Sequence, residues 1–221
     1  MNPTQSNSLI LRFGAALQYR DYRFLWMASL SSGAAAWALI VARAWLVYTL
    51  TDSSFWVGVT VFAAMSPMFV IPPFAGFLAD KMDRRKFMAV LFVVQLIHNL
   101  ILVALALTDN ISVWNLVALS LVNGVARAGQ MPASQALLPN LVPQKDLLNA
   151  ISLNAATLHG SRLVGPGLIA PLMVTMGVQG AFIFCTLFYA LALIFILQIR
   201  TVSVGQMASD KSIAQNFLAG L

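Results

Sequence analysis

The chain has 221 residues, of which 60% are hydrophobic and only 9% charged, with a mean hydropathy of +0.83. An average soluble domain is about 45–50% apolar and about 25% charged, so a water-soluble fold would leave far too much apolar surface uncovered. Thirteen Lys and Arg stand against seven acids, all of them Asp; the basic residues lie mostly between long apolar runs rather than in one surface patch, which excludes nucleic-acid binding and points to lipid as the partner.

A membrane crossing takes roughly 20 apolar residues at about 1.5 Å each to cover about 30 Å of hydrocarbon. Residues 1–23 are polar and mixed, without the continuous apolar stretch of a cleavable signal; they read as a cytoplasmic N-terminal segment. The first predicted crossing covers residues 24–50, interrupted at Arg43. The second covers 55–79 and the third 87–107, the latter with His98 and Asn99 midway. The fourth, 113–132, carries Arg127, and the fifth, 147–176, carries Arg162. The sixth, 181–199, contains the lone Cys185, which excludes an internal disulfide. Barrel strands would appear as alternating segments of about 10 residues, whereas these runs are continuous and about twice as long. The expectation is an all-α, polytopic bundle of six transmembrane helices over residues 24–200. A polar cytoplasmic linker, 201–221, follows and turns amphipathic from Ile213 to Leu221.

The connectors orient the bundle. Arg12, Arg20 and Arg23 precede the first run; Lys81, Arg84, Arg85 and Lys86 separate the second and third; Lys145 separates the fourth and fifth; Arg200 and Lys211 follow the sixth. The alternate connectors, at Asp52, Asp109 and residues 176–180, hold no Lys or Arg. The positive-inside bias predicts a multi-pass protein of the cell membrane, inner or plasma, with both termini cytoplasmic. The alternate connectors are also very short, so successive helices should pack antiparallel.

The segment Gly76-Phe77-Leu78-Ala79-Asp80-Lys81-Met82-Asp83-Arg84-Arg85-Lys86 is more specific than its charge. Gly76 stands one turn before Asp80, where it would allow a close helix approach, and Asp80 at a helix end can pair with a nearby Arg. Further along, Gly165-Pro166-Gly167 removes a backbone donor and predicts a bend in the fifth helix. Small residues at Ala34, Ala38 and Ala42, and at Ala156 and Gly160, would let helices pack closely.

Three arginines interrupt the apolar runs, at a cost of roughly 2.5–3.5 kcal/mol each on insertion scales, and such residues usually face a cavity or a partner. Arg162 falls mid-span, Arg127 further inward, and Arg43 toward the outer end, where snorkelling or local pairing is the plain reading. No Asp lies well within a run, so the chain offers them no obvious buried acid. Arg162, Arg127 and Arg43, with His159 and Trp37, are the candidate cavity residues.

At Gly76–Lys86 the chain resembles the major facilitator superfamily, whose signature loop between its second and third helices has a Gly, an Asp four residues later and a basic cluster. Gly76, Asp80, Lys81, Arg84, Arg85 and Lys86 match that pattern; Asp83 stands where a second Gly is common. The resemblance extends to Tyr19–Trp26, to Thr49–Ser53 with Gly58, and to Pro132–Pro139 as the passage from helix 4 to helix 5. Gly160–Gly167 is similar to the Gly-Pro motif of antiporters, including siderophore and multidrug exporters. The resemblance implies the N-terminal half of a twelve-span fold, with helices 1–3 and 4–6 as inverted repeats. It implies that Gly76, Asp80, Arg84 and Arg85 form a conformational latch. It also implies secondary active transport by alternating access, with efflux of a small amphipathic or anionic compound. The implied partners are that small-molecule substrate, the lipid bilayer, a coupling ion (a proton) and the C-terminal half of the same transporter. The alternative is a self-standing six-helix membrane protein: a receptor, an assembly factor or a homodimeric half-transporter. No metal-ligand cluster, phosphate-binding loop or nucleophile motif is present, so no enzyme activity, cofactor or metal is predicted.

Overall fold

A computed structural model describes residues 14–203. Arg12, Lys211 and the amphipathic segment from Ile213 lie outside the described residues. A short 3-10 turn, Ala15–Gln18, leads into α1 (Arg20–Thr51), α2 (Ser54–Met65), α3 (Pro67–Lys81), α4 (Arg84–Leu107), α5 (Val113–Leu141) and α6 (Gln144–Leu197). The described chain is all-α, without a strand.

Four helical segments are long and apolar enough to cross a membrane: Arg20–Thr51, Ser54–Lys81, Arg84–Leu107 and Gln144–Leu197. The second of these joins α2 and α3. Ser66 between them keeps helical angles and donates its N–H to Phe62 O at 2.7 Å. Pro67 then opens α3, where a missing N–H is least felt. The helix outside these four, α5, has 29 residues, and Asn123, Arg127 and Gln130 dilute its apolar character.

Two expectations are corrected. The fourth run does not end at Pro132, because α5 continues through Pro132 and Pro139 to Leu141; the stretch 132–139 is helix rather than connector. Each proline removes one helical donor, which membrane helices tolerate where neighbours supply partners. The loop expected at 176–180 narrows to one residue: only Gly177, with φ 66° and ψ −167°, leaves the helical region in α6. Glycine takes such a conformation without strain. At Gly165-Pro166-Gly167 the backbone angles stay helical, and the residue that leaves the helical region in α6 is Gly177.

At 54 residues, a straight α6 would be about 81 Å long. It folds back instead. Tyr19, just before α1, donates its hydroxyl to Asp146 near the start of α6 at 2.6 Å. Thr201, just past the end of α6, donates its N–H to Asp21 in the first turn of α1 at 2.8 Å. Both ends of α6 therefore meet the start of α1, and the arms 144–176 and 178–197 run antiparallel. At the opposite end α1 closes on Asp52 at φ 49°, and Asp109 after α4 has φ 52°. Asp is among the few non-Gly residues that visit this left-handed region at modest cost.

Two apolar clusters fill the bundle. One lies toward the α1 start, around Tyr22, Leu25, Phe92, Leu137 and Ile196. The other lies toward the far end, around Leu39, Val47, Leu102, Leu116 and Phe182. Small residues bring α1 against α6, since Ala34, Ala38 and Ala42 are buried. A Cβ on Gly165 would run into Ala34 O and stand 2.9 Å from Ala38 N. Gly160 does not share this role, because a Cβ there would meet open space; Ser161 instead takes the contact with Gly33.

Candidate functional site

The crossing at Gly165 positions a cationic cluster. Trp37 on α1 is half-buried, and a Cβ on Gly165 would lie 3.1 Å from the Trp37 Cβ. With α6 held this close, Arg162 reaches the indole from α6 and Arg127 reaches it from α5. Their guanidinium carbons lie 4.8 Å and 4.7 Å from the ring centroid. A cation over an indole gains about 0.5–2 kcal/mol, more as water is excluded. Trp37 thus lets two like charges share one small volume, but it neutralises neither. Among the described residues the ion pairs are Arg20 with Asp21 and Arg84 with Asp80, and neither pair belongs to this cluster.

The other candidates divide. Arg162 and His159 are exposed and Arg127 is half-buried; His159, one turn before Arg162, shares its side of α6. Arg43 does not join Arg127 and Arg162 on the indole, and it does not snorkel. It is 3% exposed, donates from Nη1 to Ser120 Oγ at 2.7 Å and from Nε to Leu39 O at 3.4 Å. It lines a small pocket with Ile40, Thr60, Ala64 and Ser120. Of the two expected readings for Arg43, its geometry is that of local pairing.

A buried polar seam, of which only His98 and Asn99 stand out in the sequence, runs beside the cluster. Gln130 donates to Gln95 at 3.1 Å, Asn123 contacts His98 Nδ1 and Tyr189 Oη at 3.3 Å each, and Asn99 donates to Phe182 O at 2.8 Å. A signal was available. Ser120, Asn123, Arg127, Gln130 and Ser134 recur at three- and four-residue spacing within an apolar helix, which places them on one face.

The basic end holds a second constellation. Arg84 donates from Nη2 to Asp80 at 2.9 Å and from Nη1 to Ala136 O of α5 at 2.8 Å. Its backbone N–H donates to Ser203 O at 2.9 Å, and Asn140 donates to the Ser203 hydroxyl. Arg85 reaches Leu197 O at the end of α6 at 3.3 Å, a carbonyl with no helical partner of its own. Asp83 caps α4 by accepting from Arg85 N. At the α1 start, the hydrogen bond to Asp146, with desolvation next, raises the Tyr19 phenol above its usual value. Among the described residues nothing approaches Gly76 closely, and a Cβ there would meet open space.

A family described as transmembrane secretion effector matches residues 14–221. The chain belongs to the major facilitator superfamily. No curated protein matches it. As a major facilitator protein it is a multi-pass membrane protein and a transmembrane transporter, acting with lipid bilayer and small-molecule substrate as partners. Transporters of this superfamily are not enzymes.

Proposed function

We propose that the chain forms the N-terminal six-crossing half of a secondary active exporter that works by alternating access. The six crossings are α1, the α2–α3 rod, α4, α5 and the two arms of α6. The carrying observation is the exposure of Arg162. A guanidinium partway along a membrane helix and this exposed costs roughly 2.5–3.5 kcal/mol against hydrocarbon. Its face borders water, which in a transporter means the substrate cleft. Arg127, Trp37 and His159 extend that cleft, and the second half of the transporter closes it. The contacts of Arg84 and Arg85 with α5 and the end of α6 fit a latch holding one access state, and the charge distribution fits a cytoplasmic basic end at the cell membrane.

The test is transport by the full protein in inverted membrane vesicles, with carboxyfluorescein as an amphipathic anionic probe and a proton gradient imposed. Arg162→Gln is expected to abolish gradient-dependent accumulation while membrane insertion stays intact. Accumulation at the wild-type rate by that variant would remove Arg162 from the cleft.

A further inference from the structure

Resting on the exporter reading, we infer that the Trp37 cluster is an oxyanion clamp whose ligand carries a carboxylate or phosphate head on an apolar body. Arg127 and Arg162 converge on one indole from two helices, at 4.7 Å and 4.8 Å. No carboxylate pairs with either among the described residues. The acids of the described chain (Asp21, Asp52, Asp80, Asp83, Asp109 and Asp146) stand at or next to helix ends. On α1 and α6 that puts Asp21, Asp52 and Asp146 roughly 22–24 Å along the helix from Trp37 or Arg162, too far to compensate the pair.

A guanidinium that stacks on a ring by its face keeps its N–H edges, and those edges are the groups that donate to an oxyanion in a bidentate fork. The apolar half of the ligand follows from the same face of α1. Val41, Trp45 and Tyr48 succeed Trp37 at helical spacing and are exposed at 40%, 58% and 47%. A head-and-body anion laid along α1 would satisfy the two arginines and cover this apolar strip together.

Two sources share this chemistry: a free organic anion and the headgroup of an anionic lipid. Both are testable on the purified full protein, using 2-naphthoate and 2-naphthylmethanol in maltoside, and phosphatidylglycerol against phosphatidylcholine in nanodiscs. Naphthoate is expected to raise Tm and the alcohol to leave it unchanged. Arg127→Gln and Arg162→Gln should each weaken naphthoate binding about tenfold, a loss of about 1.4 kcal/mol, and the double variant should abolish the shift. Arg127→Lys, which keeps charge but not the fork, should bind at an intermediate level and guards against misfolding of the Gln variants. An arginine-dependent shift with phosphatidylglycerol alone keeps the oxyanion clamp and assigns it to lipid. Equal stabilisation by naphthoate and alcohol, or naphthoate binding unchanged in the double variant, overturns the clamp. Because binding is read without transport, a clamp that binds in a protein that does not export would sink the exporter reading alone.

Discussion

At the scale of single residues, the sharpest contrast lies between two glycines two positions apart. Gly165 sits where α6 crosses α1, and a Cβ there would meet Ala34 O, Ala38 N and Trp37 Cβ. Backbone atoms cannot yield as a flexible side chain can, so the helices must separate. Gly165→Ala is expected to lower stability by about 1–3 kcal/mol and to pull Arg162 away from Trp37. Gly167 faces open space, and Gly167→Ala should stay within about 0.5 kcal/mol of wild type. Thermal unfolding of both variants in detergent checks the pair, and equal losses would show that the crossing is not tight at Gly165. This distinction was not legible in the sequence. There Gly160, Gly165 and Gly167 look alike, and only the partner helix decides which of them a Cβ would obstruct. The same holds for Arg43. Its depth could be counted along the helix, but Ser120, which receives its guanidinium, is distant in sequence and has no charge to announce the pairing.

At the scale of elements, the basic end is tied by Arg84 more than by Asp80. The Asp80 carboxylate is 51% exposed and pairs with Arg84 four residues on, an arrangement worth about 0.3–0.5 kcal/mol. Arg84 also holds Ala136 O on α5, so its loss undoes a tie between separate helices as well as the pair. A cysteine at Met131, in a Cys185→Ser background, would report access to α5. Asp80→Asn is expected to change its labelling rate by about twofold at most. Arg84→Gln should change it by about fivefold or more, the effect of a loss of about 1 kcal/mol or above. The reverse ranking would return the latch to the acid. The sequence made Asp80, Arg84 and Arg85 visible as a group, because charge at a helix junction stands out against apolar runs. It did not reveal that residues 197–203 meet them. The connector expected at 176–180 already has α6 doubling back, but which groups of the basic end the returning arm meets depends on packing that no local motif encodes.

At the scale of the whole molecule, hydropathy identified the apolar runs, but a run does not disclose which of its sides meets lipid. The two arms of α6 make the point. In the second arm Ile183, Leu187, Leu191 and Ile194 are exposed at 39–59%, follow one another at helical spacing and are wholly apolar, as a lipid-facing stripe must be. In the first arm the exposed side carries His159 and Arg162 among Leu158 and Leu163. A charged group on an outward face is costly in lipid at that depth, so the two exposed faces of one helix should border different media. This predicts opposite chemistry at two introduced cysteines, again with Cys185→Ser as background. His159→Cys should react with a membrane-impermeant maleimide in intact vesicles, because its thiol can ionise in water. Ile194→Cys, held in hydrocarbon, should stay unlabelled until detergent is added. If both thiols label alike, the two faces border the same medium and exposure of Arg162 no longer marks a cleft; if both stay silent, the face of His159 is covered, and the water path to the substrate must run along another side of the bundle.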